Sequence, residues 1–276
     1  FPATVSVCKQ LLPVYDKPLV YYPLSVLMTA GIKEILIICT PRDLDAFQSL
    51  FGDGSHLGIR ISYEKQYSPD GLADAFLIGE KFIDNSPSCL ILGDNIFYGN
   101  ELSEILKTAC NKIEGATILG YQVNNPKSYG VIEFDENMEM KKITEKPESP
   151  ASNIAVTGLY FYDETVCSRV KNLKPSKRNE LEITDLNNSY LIDKDLKLIN
   201  LKRGCAWLDT GTHENLLEAS QFIQTIEKRQ GIKIACLEEI SFNNKWIEID
   251  ALKNVAKKYK NSSYGNYLEK FIKNYV

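Results

Sequence analysis

Two aspartates of this chain follow short apolar segments. Residues 89–92 lead through Gly93 into Asp94, and residues 207–208 lead into Asp209. A short apolar run that stops at a turn-forming residue predicts a buried strand ending at the edge of a sheet. Ligands of open α/β sheets bind at the carboxyl edge, so two carboxylates there indicate a divalent-metal site. Each aspartate is also consistent with simply capping the turn or helix that follows it.

Three cationic side chains are candidates for binding anions. Lys9 lies in an irregular segment whose apolar neighbours would hold it near the sheet edge. Lys146 stands between Glu145 and a proline that ends a strand. This pair is either a surface ion pair or a glutamate for sugar hydroxyls beside a lysine for a phosphate. Arg178 precedes a predicted helix, where a guanidinium can bind two phosphate oxygens, although exposed arginines usually make no such contact.

Two glycine-containing segments could admit a ligand. Residues 67–72 form a turn that opens a helix, and the backbone N–H groups there could receive a polar ligand edge or an anion. The same Pro-Asp-Gly chemistry is common in turns without any ligand. Gly130 follows Tyr129 at the start of a strand, where a glycine permits either close ligand approach or a bulge.

The histidine and cysteine content restricts the possible chemistry. The chain has two histidines, His56 and His213, and any Ser-His-Asp, Cys-His or histidine-zinc site must use one of them. Both lie in turn-like sequence and are expected at the surface or in the first turn of a helix. The seven cysteines are scattered without a C-x-x-C pair, which favours neither zinc nor disulfides and indicates a reducing, cytoplasmic location.

Length and composition are those of a globular protein. A chain of 276 residues can bury one large α/β core, or a core with a small appendage. The net charge of −4 argues against binding to a nucleic-acid backbone, although it is compatible with a nucleotide substrate. No apolar run is long enough to cross a bilayer, so no membrane association is predicted.

The order of the elements predicts the architecture. The first two-thirds alternate strand and helix, which favours a mostly parallel sheet with helices on both faces. The closer strands that follow predict an antiparallel extension forming a substrate pocket. A helical tail follows Gly231, so we predict a catalytic domain over 1–230 and a helical C-terminal extension over 231–276. The predicted strands are 34–39, 59–63, 89–92, 116–123, 130–134, 140–143 and 155–162, and the predicted helices are 43–51, 72–82, 102–112, 181–191, 214–229, 252–259 and 267–275.

Taken in order, several segments resemble those of the sugar-1-phosphate nucleotidyltransferases. The segments are residues 9–18 (KQLLPVYDKP), 68–73 (SPDGLA), 92–95 (LGDN), 129–131 (YGV), 145–147 (EKP), 156–160 (VTGLY), 180–185 (ELEITD) and 207–211 (WLDTG). The resemblance covers essentially the whole chain and implies the Rossmann-like nucleotide-diphospho-sugar transferase fold. In that family a sugar-1-phosphate oxygen attacks the α-phosphorus of a nucleoside triphosphate, and pyrophosphate leaves. This chemistry needs positive charge more than a strong base, which agrees with the shortage of histidine.

The resemblance implies a role for each candidate residue. It is strongest to the members that use dTTP and glucose 1-phosphate. Asp94 and Asp209 would hold Mg²⁺ over the α-phosphate, and Lys9 would neutralise the triphosphate. Lys146 and Arg178 would bind the sugar phosphate. The other implied substrate-binding residues are Gln10, Gln66 and Gly71, with the last two reading the thymine edge, and Tyr129, Gly130, Glu145, Thr157 and Trp207 at the sugar pocket.

The resemblance also implies an assembly and a pathway. The family is commonly tetrameric with a second nucleotide site between subunits, so a homotetramer is expected. By position Tyr98, Gly99, Arg203 and Lys245 would contribute to this regulatory site. The family serves dTDP-sugar synthesis for cell-surface polysaccharides. It begins with a strand and a Gly-x-Gly-Thr-Arg loop that wraps the triphosphate, and we expect the protein to carry both ahead of Phe1.

Three alternative functions are compatible with these observations. Thymine and uracil differ by one methyl group, worth only ~1–3 kcal/mol of discrimination, so the enzyme could be a uridylyltransferase. A metal-dependent glycosyltransferase also uses aspartates at strand ends, but it usually has an Asp-x-Asp pair where this chain has Asp94 alone. A non-catalytic regulatory subunit would bind sugar nucleotides without the triphosphate loop.

Overall fold

The computed structural model describes residues 2–275. Strands and helices alternate through the first half, and helices dominate after residue 212. The strands are β1 (Pro13–Val14), β2 (Lys17–Pro18), β3 (Glu34–Cys39), β4 (Arg60–Lys65), β5 (Ser88–Ile91), β6 (Asn95–Tyr98), β7 (Ala116–Gln122), β8 (Gly130–Phe134), β9 (Met140–Glu145), β10 (Ile154–Tyr162), β11 (Leu196–Asn200) and β12 (Ala206–Asp209). The helices are α1 (Tyr21–Thr29), α2 (Leu44–Phe51), α3 (Asp74–Ile78), α4 (Glu80–Ile83), α5 (Leu102–Cys110), α6 (Val166–Lys171), α7 (Ile183–Ile192), α8 (His213–Gln230), α9 (Leu237–Asn243), α10 (Ile249–Lys258) and α11 (Ser263–Lys273).

The predicted α/β class is confirmed, but the strand pairing is mixed rather than mostly parallel. The largest sheet has six strands in the order β11-β7-β10-β8-β9, and β5 also pairs with β10. Strand β10 runs antiparallel to β5, β7 and β8, and this reversal makes most of the sheet antiparallel. The parallel pairs of the described residues are β11 with β7 and β3 with β4.

Two departures from the predicted helices have clear physical causes. The predicted helix 72–82 forms two short helices, because the backbone of the buried Gly79 between them leaves the helical region with φ −86° and ψ 4°. Helix α1 was absent from the predictions. Six of its nine residues are buried, including Leu24 and Met28, so its sequence lacks the apolar–polar period that identifies a surface helix.

The C-terminal helices pack onto the core of the first hundred residues. Leu237 of α9 belongs to the same apolar cluster as Leu24 and Phe51. The Asn244 side-chain amide donates to the Met28 carbonyl at 2.9 Å. The division between catalytic domain and extension stays a prediction, and these contacts show that the two segments share buried surface. No helix in residues 2–275 has the length and apolar character needed to span a membrane.

An apolar cavity of about 650 Å³ lies between β3 and β5. Leu36, Ile38, Leu90 and Ile91 contribute to its walls. In the described part of the chain, β3 pairs with β4 and β5 pairs with β10, so the facing edges of β3 and β5 do not bond to each other. A second cavity of about 310 Å³ adjoins it, and Gln10 lies in its wall.

Candidate active site

An antiparallel ladder brings the two aspartates together. Asp94 lies in the turn between β5 and β6, and Asp209 ends β12. Strands β6 and β12 pair antiparallel, with Asp209 opposite Asn95. The Thr210 amide and hydroxyl both donate to the Asp94 carbonyl oxygen, at 3.2 and 2.8 Å. The predicted proximity is therefore present, but antiparallel pairing produces it and not two parallel strands ending at one edge.

The two aspartates lie near cationic groups as well as near each other's negative charge. The Lys9 ammonium lies 2.6 Å from Asp94 Oδ2. Burial raises the pKa of the Asp209 carboxyl, and the charge of Asp94 raises it further. Lys9, the Gly211 N–H and Lys146 act in the opposite direction without cancelling the increase. The raised pKa of Asp209 means that its ionised form would be stabilised by an additional cation.

The donor set fits a hard divalent cation. Within residues 2–275 no group of three or more His, Cys, Asp or Glu side chains is placed to hold a metal. Magnesium usually takes one or two protein carboxylates and completes its octahedron with water and substrate phosphate oxygens. Asp94 and Asp209 provide the two carboxylates, so the residues present fit Mg²⁺ better than zinc.

Strands β8 and β9 carry predicted sugar-binding residues close to Asp209, since the charge of Lys146, directly after β9, acts on that carboxyl. Gly130 of β8 lies opposite Glu145 of β9. The Thr184 hydroxyl donates to Glu145 Oε2 at 2.7 Å and fixes the orientation of that carboxylate. A Cβ at residue 130 would lie 3.4 Å from both side chains, so glycine keeps this space open. Lys146 has a positive φ of 42°, its N–H donates to the Tyr129 carbonyl, and its ammonium lies 3.9 Å from Glu145 Oε1.

Two aromatic rings pack against each other close to Asp209. The Tyr129 and Trp207 ring centroids are 5.0 Å apart. Burial raises the pKa of Tyr129, and the charge of Asp209 raises it further. Among residues 2–275 the buried Thr157 hydroxyl has no hydrogen-bond partner. A water or a ligand hydroxyl would satisfy it, because buried polar groups are nearly always hydrogen-bonded.

Arg178 is held by a carboxylate in this structure. Its Nη2 donates to Glu182 Oε1 and Oε2 at 3.0 and 2.9 Å, and its Nε donates to Oε1 at 3.2 Å. The Arg178 side chain is 49% exposed, and its guanidinium lies within the electrostatic influence of Glu145. A phosphate could bind the same guanidinium face as Glu182, because carboxylate and phosphate share the bidentate geometry.

The turn at residues 66–71 is tied to the segment that carries Arg178. Leu181 N donates to the Asp70 carbonyl at 2.6 Å, and Ala73 N donates to the Leu181 carbonyl at 3.1 Å. Gly71 has a φ of +106°, and a Cβ there would lie 2.3 Å from the Leu181 carbonyl oxygen. Only glycine allows the two segments to approach this closely.

Gln10 and Gln66 lie in the wall of the 310 Å³ cavity. Gln66 Nε2 donates to Asp74 at 3.2 Å. Gln10 packs against Gly93, where a Cβ would lie 2.8 Å from its Cγ. Because Gly93 directly precedes Asp94, this cavity opens beside the aspartate pair.

Three of the four predicted regulatory residues lie close together. Tyr98 ends β6 and its hydroxyl donates to Gln230 of α8 at 2.9 Å. Gly99 packs against Cys205 and the Gly204 carbonyl, and Arg203 is exposed in the turn before β12. Lys245 lies in the turn after α9, where its N–H donates to the Phe242 carbonyl.

Sequence reasoning missed the residues that orient the predicted ones. Thr184 and Glu182 lie in the segment 180–185, but nothing in its spacing indicates which carboxylate or cation each would contact. Asn95 lies in the segment 92–95, whose sequence does not indicate which distant groups its side chain contacts. His56 and His213 are exposed, and His213 begins α8, as predicted. All seven cysteines are free.

Comparison with known proteins is consistent with this geometry. The sequence pattern of the Nucleotidyl transferase family matches residues 1–226. The glucose-1-phosphate thymidylyltransferase of Neisseria meningitidis serogroup A / serotype 4A is 55% identical over 273 residues, which cover 99% of this chain and 95% of that protein. The protein of that name from Mycolicibacterium smegmatis is 51% identical over 267 residues, 97% of this chain and 92% of that protein.

Solved structures agree with the sequence comparison. The crystal structure of a glucose-1-phosphate thymidylyltransferase from Bacillus anthracis in complex with sucrose superposes with a TM-score of 0.74 at 36% identity, over 80% of this chain and 89% of that chain. A UDP-glucose pyrophosphorylase complexed with UDP-glucose superposes with a TM-score of 0.71 at 27% identity, over 82% and 94%. The chain therefore belongs to the nucleotidyl transferase family. It is an enzyme of that class, with the predicted nucleotide-diphospho-sugar transferase fold.

Proposed function

We propose that this enzyme transfers a thymidylyl group from dTTP to α-D-glucose 1-phosphate in the presence of Mg²⁺, and releases dTDP-glucose and pyrophosphate. The observation that carries the proposal is the pair Asp94 and Asp209, with Lys9 bound to Asp94 and with Lys146 and the aromatic pair of Tyr129 and Trp207 close by. Extensive identity to proteins named for this activity supports the substrate assignment. The product would enter dTDP-sugar synthesis of the dTDP-rhamnose type, for cell-surface polysaccharide.

The cationic side chains supply what phosphoryl transfer needs. A sugar-phosphate oxygen forms a bond to the α-phosphorus while the bond from the α-phosphorus to the bridging oxygen breaks, and that oxygen leaves with pyrophosphate. Lys9 and Lys146 stabilise the negative charge that surrounds this exchange. Asp94 and Asp209 would hold the Mg²⁺, which supplies Lewis-acid polarisation of the phosphate. Arg178 would bind the sugar phosphate once its guanidinium has separated from Glu182.

The groups beside Asp209 would form a pocket suited to a hexose. Glu145 accepts hydrogen bonds from sugar hydroxyls through the oxygen that Thr184 leaves free. Among residues 2–275 the buried Thr157 hydroxyl is without a partner, and Gly130 leaves space beside Glu145. The rings of Tyr129 and Trp207 would pack against the sugar.

The base site lies on the other side of the aspartates. Gln66 and the backbone at Gly71 would read the thymine edge, and Gln10 lies between this cavity and Asp94. Uridylyl transfer is the second candidate, because a UDP-glucose pyrophosphorylase shares the fold at 27% identity. A single methyl contact gives a preference of about 10–200-fold at most, so we expect some turnover with UTP.

We further infer a cytoplasmic homotetramer with a second nucleotide site. The seven free cysteines support a reducing compartment. The proximity of Tyr98, Gly99 and Arg203 supports a shared surface for this regulatory site, to which Lys245 would contribute from a neighbouring subunit.

The direct test is a pyrophosphate-release assay on the full-length protein. We expect release from dTTP to require both glucose 1-phosphate and Mg²⁺, with UTP as the weaker nucleotide. No release with any nucleotide and sugar-phosphate pair would overturn the proposal. Calorimetric binding of dTDP-glucose without binding of dTTP would instead favour the non-catalytic regulatory subunit.

Replacing Thr184 with valine is expected to raise the KM for glucose 1-phosphate about tenfold. The change removes one hydrogen bond to a carboxylate, worth about 1.5–3 kcal/mol, and leaves Glu145 free to rotate. Steady-state kinetics at saturating dTTP measures the effect. Thr225→Val is the control, because that exposed hydroxyl bonds only within α8. An unchanged KM would show that Glu145 keeps its orientation without Thr184.

A further inference from the structure

Asn95 is a buried amide whose three hydrogen bonds reach the adjacent Asp94 and two distant strands. The residue is 2% exposed. Its Oδ1 accepts from Trp207 Nε1 at 2.6 Å and from Gly158 N at 3.2 Å. Its Nδ2 donates to Asp94 Oδ1 at 3.1 Å. One side chain therefore connects the turn of Asp94 to strands β12 and β10.

These bonds restrict the Asp94 carboxylate from both sides. Asn95 donates to Oδ1 of Asp94, and Lys9 donates to Oδ2 at 2.6 Å. A carboxylate with a donor on each oxygen has little freedom to rotate about its terminal torsion. Lys9 is a flexible, partly exposed side chain, whereas Asn95 is buried and anchored on two other groups. Asn95 is thus the more rigid of the two supports.

The same amide fixes the wall of the sugar pocket. The indole N–H of Trp207 is a donor only, and Asn95 is its partner. The bond holds the Trp207 ring at 5.0 Å from the Tyr129 ring. Gly158 permits this arrangement, because a Cβ at residue 158 would lie 2.6 Å from the Asn95 Oδ1 atom.

We propose that Asn95 is the positioning residue that orients Asp94 toward the metal and couples that orientation to the sugar pocket through Trp207. This inference rests on the proposed function, since it takes Asp94 as a metal ligand. Residues that orient metal ligands typically contribute 10–100-fold to metal affinity or activity. Loss of the Asn95 side chain is expected to weaken Mn²⁺ binding and turnover by factors in this range, without contact between Asn95 and the metal.

The first test compares Asn95→Ala with wild-type enzyme by Mn²⁺ electron paramagnetic resonance, which measures binding without turnover. We expect the Mn²⁺ dissociation constant to rise at least tenfold. Asn187→Ala is the matched control, because Asn187 is a buried amide that bonds to Tyr162 in the core. It should lose stability without changing Mn²⁺ affinity. Equal Mn²⁺ affinity in Asn95→Ala and wild type would overturn the positioning role.

A wild-type measurement covers the case in which Asn95→Ala does not fold. The chain has two tryptophans, Trp207 and Trp246, so 5-fluorotryptophan labelling gives two ¹⁹F signals, assigned with Trp246→Phe. Addition of Mg²⁺ should shift the Trp207 signal, because Asn95 joins that indole to Asp94, and leave the Trp246 signal in place. Absence of a Trp207 shift at a Mg²⁺ concentration that fills the site would overturn the coupling.

Failure of the metal assignment gives a different result from failure of the Asn95 proposal. Wild-type Mn²⁺ binding that disappears in Asp209→Asn supports the metal site. No Mn²⁺ binding to wild-type enzyme, with or without dTTP, would overturn that site and the role of Asn95 with it. Binding that is lost in Asp209→Asn and retained in Asn95→Ala overturns the Asn95 proposal alone.

Discussion

Asp209→Asn is expected to lower kcat about a thousandfold while the protein stays folded. The substitution removes one of the two carboxylates proposed to hold Mg²⁺, and the loss of metal-based charge stabilisation is worth several kcal/mol of barrier. The shape of the side chain is preserved, and its backbone carbonyl still accepts from Asn215 at 2.9 Å. Pyrophosphate release at saturating substrates and Mg²⁺ measures the effect.

The pKa of Asp209 adds a second expectation for the same variant. Folding raises this pKa through burial and the charge of Asp94, so the ionised carboxylate is less favourable in the folded state than in the unfolded state. Neutral asparagine removes that penalty above the folded pKa, and the melting temperature should stay equal or rise. Loss of activity with no loss of stability would separate a metal-binding role from a structural one.

The control for this variant is Asp45→Asn, at an exposed position of α2. It should retain full activity. Turnover of Asp209→Asn close to wild type at saturating Mg²⁺ would rule out the proposed ligand. A large fall in its melting temperature would mean that Asp209 supports the fold.

Lys233→Met is expected to lower the free energy of unfolding by about 3–5 kcal/mol. Lys233 bridges Asp16 and Glu227, and Lys17 bridges the same two carboxylates at 2.6 and 3.0 Å. Glu227 also accepts from the Ile234 N–H at 3.0 Å. Removing one member of a buried ionic group leaves an uncompensated charge, which accounts for the size of the effect. Denaturant unfolding at neutral pH measures it.

The pH dependence of this stabilisation follows from two pKa shifts. Burial alone would raise the pKa of Asp16, but Lys17 and Lys233 outweigh burial and lower it from 3.8. The stabilisation that ionised Asp16 gives the fold is therefore fully present above pH 3.8. It is lost as the pH falls through the lower pKa that Asp16 has in the folded state. Burial opposes the charge of Lys233, yet its two carboxylate partners raise its pKa above 10.5. The stabilisation that protonated Lys233 gives the fold is fully present below pH 10.5. It is lost as the pH rises through the higher pKa that Lys233 has in the folded state.

The stability difference between wild type and Lys233→Met should therefore be greatest from about pH 4 to pH 10. Lys253→Met is the matched control, because Lys253 pairs with Asp250 on an exposed helix face and exposed pairs contribute at most about 1 kcal/mol. If the two variants lose equal stability, the buried ionic cluster does not stabilise the fold as proposed.

The aspartate pair shows what sequence reasoning achieves and where it stops. The apolar runs before Asp94 and Asp209 were sufficient to predict strands that end near a common site. The antiparallel pairing of β6 with β12 was not predictable, because these strands form a separate two-stranded sheet from segments that lie far apart in the chain. Period and spacing describe each segment separately, whereas register is a property of two segments together.

Other differences have the same origin. Helix α1 is buried on most sides and lacks an amphipathic period, so its sequence resembles a buried strand as much as a helix. The Arg178–Glu182 contact needs the side-chain geometry of a helix start that spacing does not specify. Asn95 contacts Gly158 and Trp207 from 63 and 112 residues away, and no local pattern encodes such contacts.

The backbone bonds that join Leu181 to Asp70 and Ala73 have a thermodynamic consequence for the enzyme. One of the two joined segments carries the turn proposed to read the nucleotide base, and the other carries Arg178, which is proposed to hold the sugar phosphate. A substrate that orders one of these two segments also orders the other. The conformational entropy of the shared part is therefore lost when the first substrate binds and is not lost again with the second. The two substrates should therefore bind with positive cooperativity, each increasing the affinity for the other by the same factor.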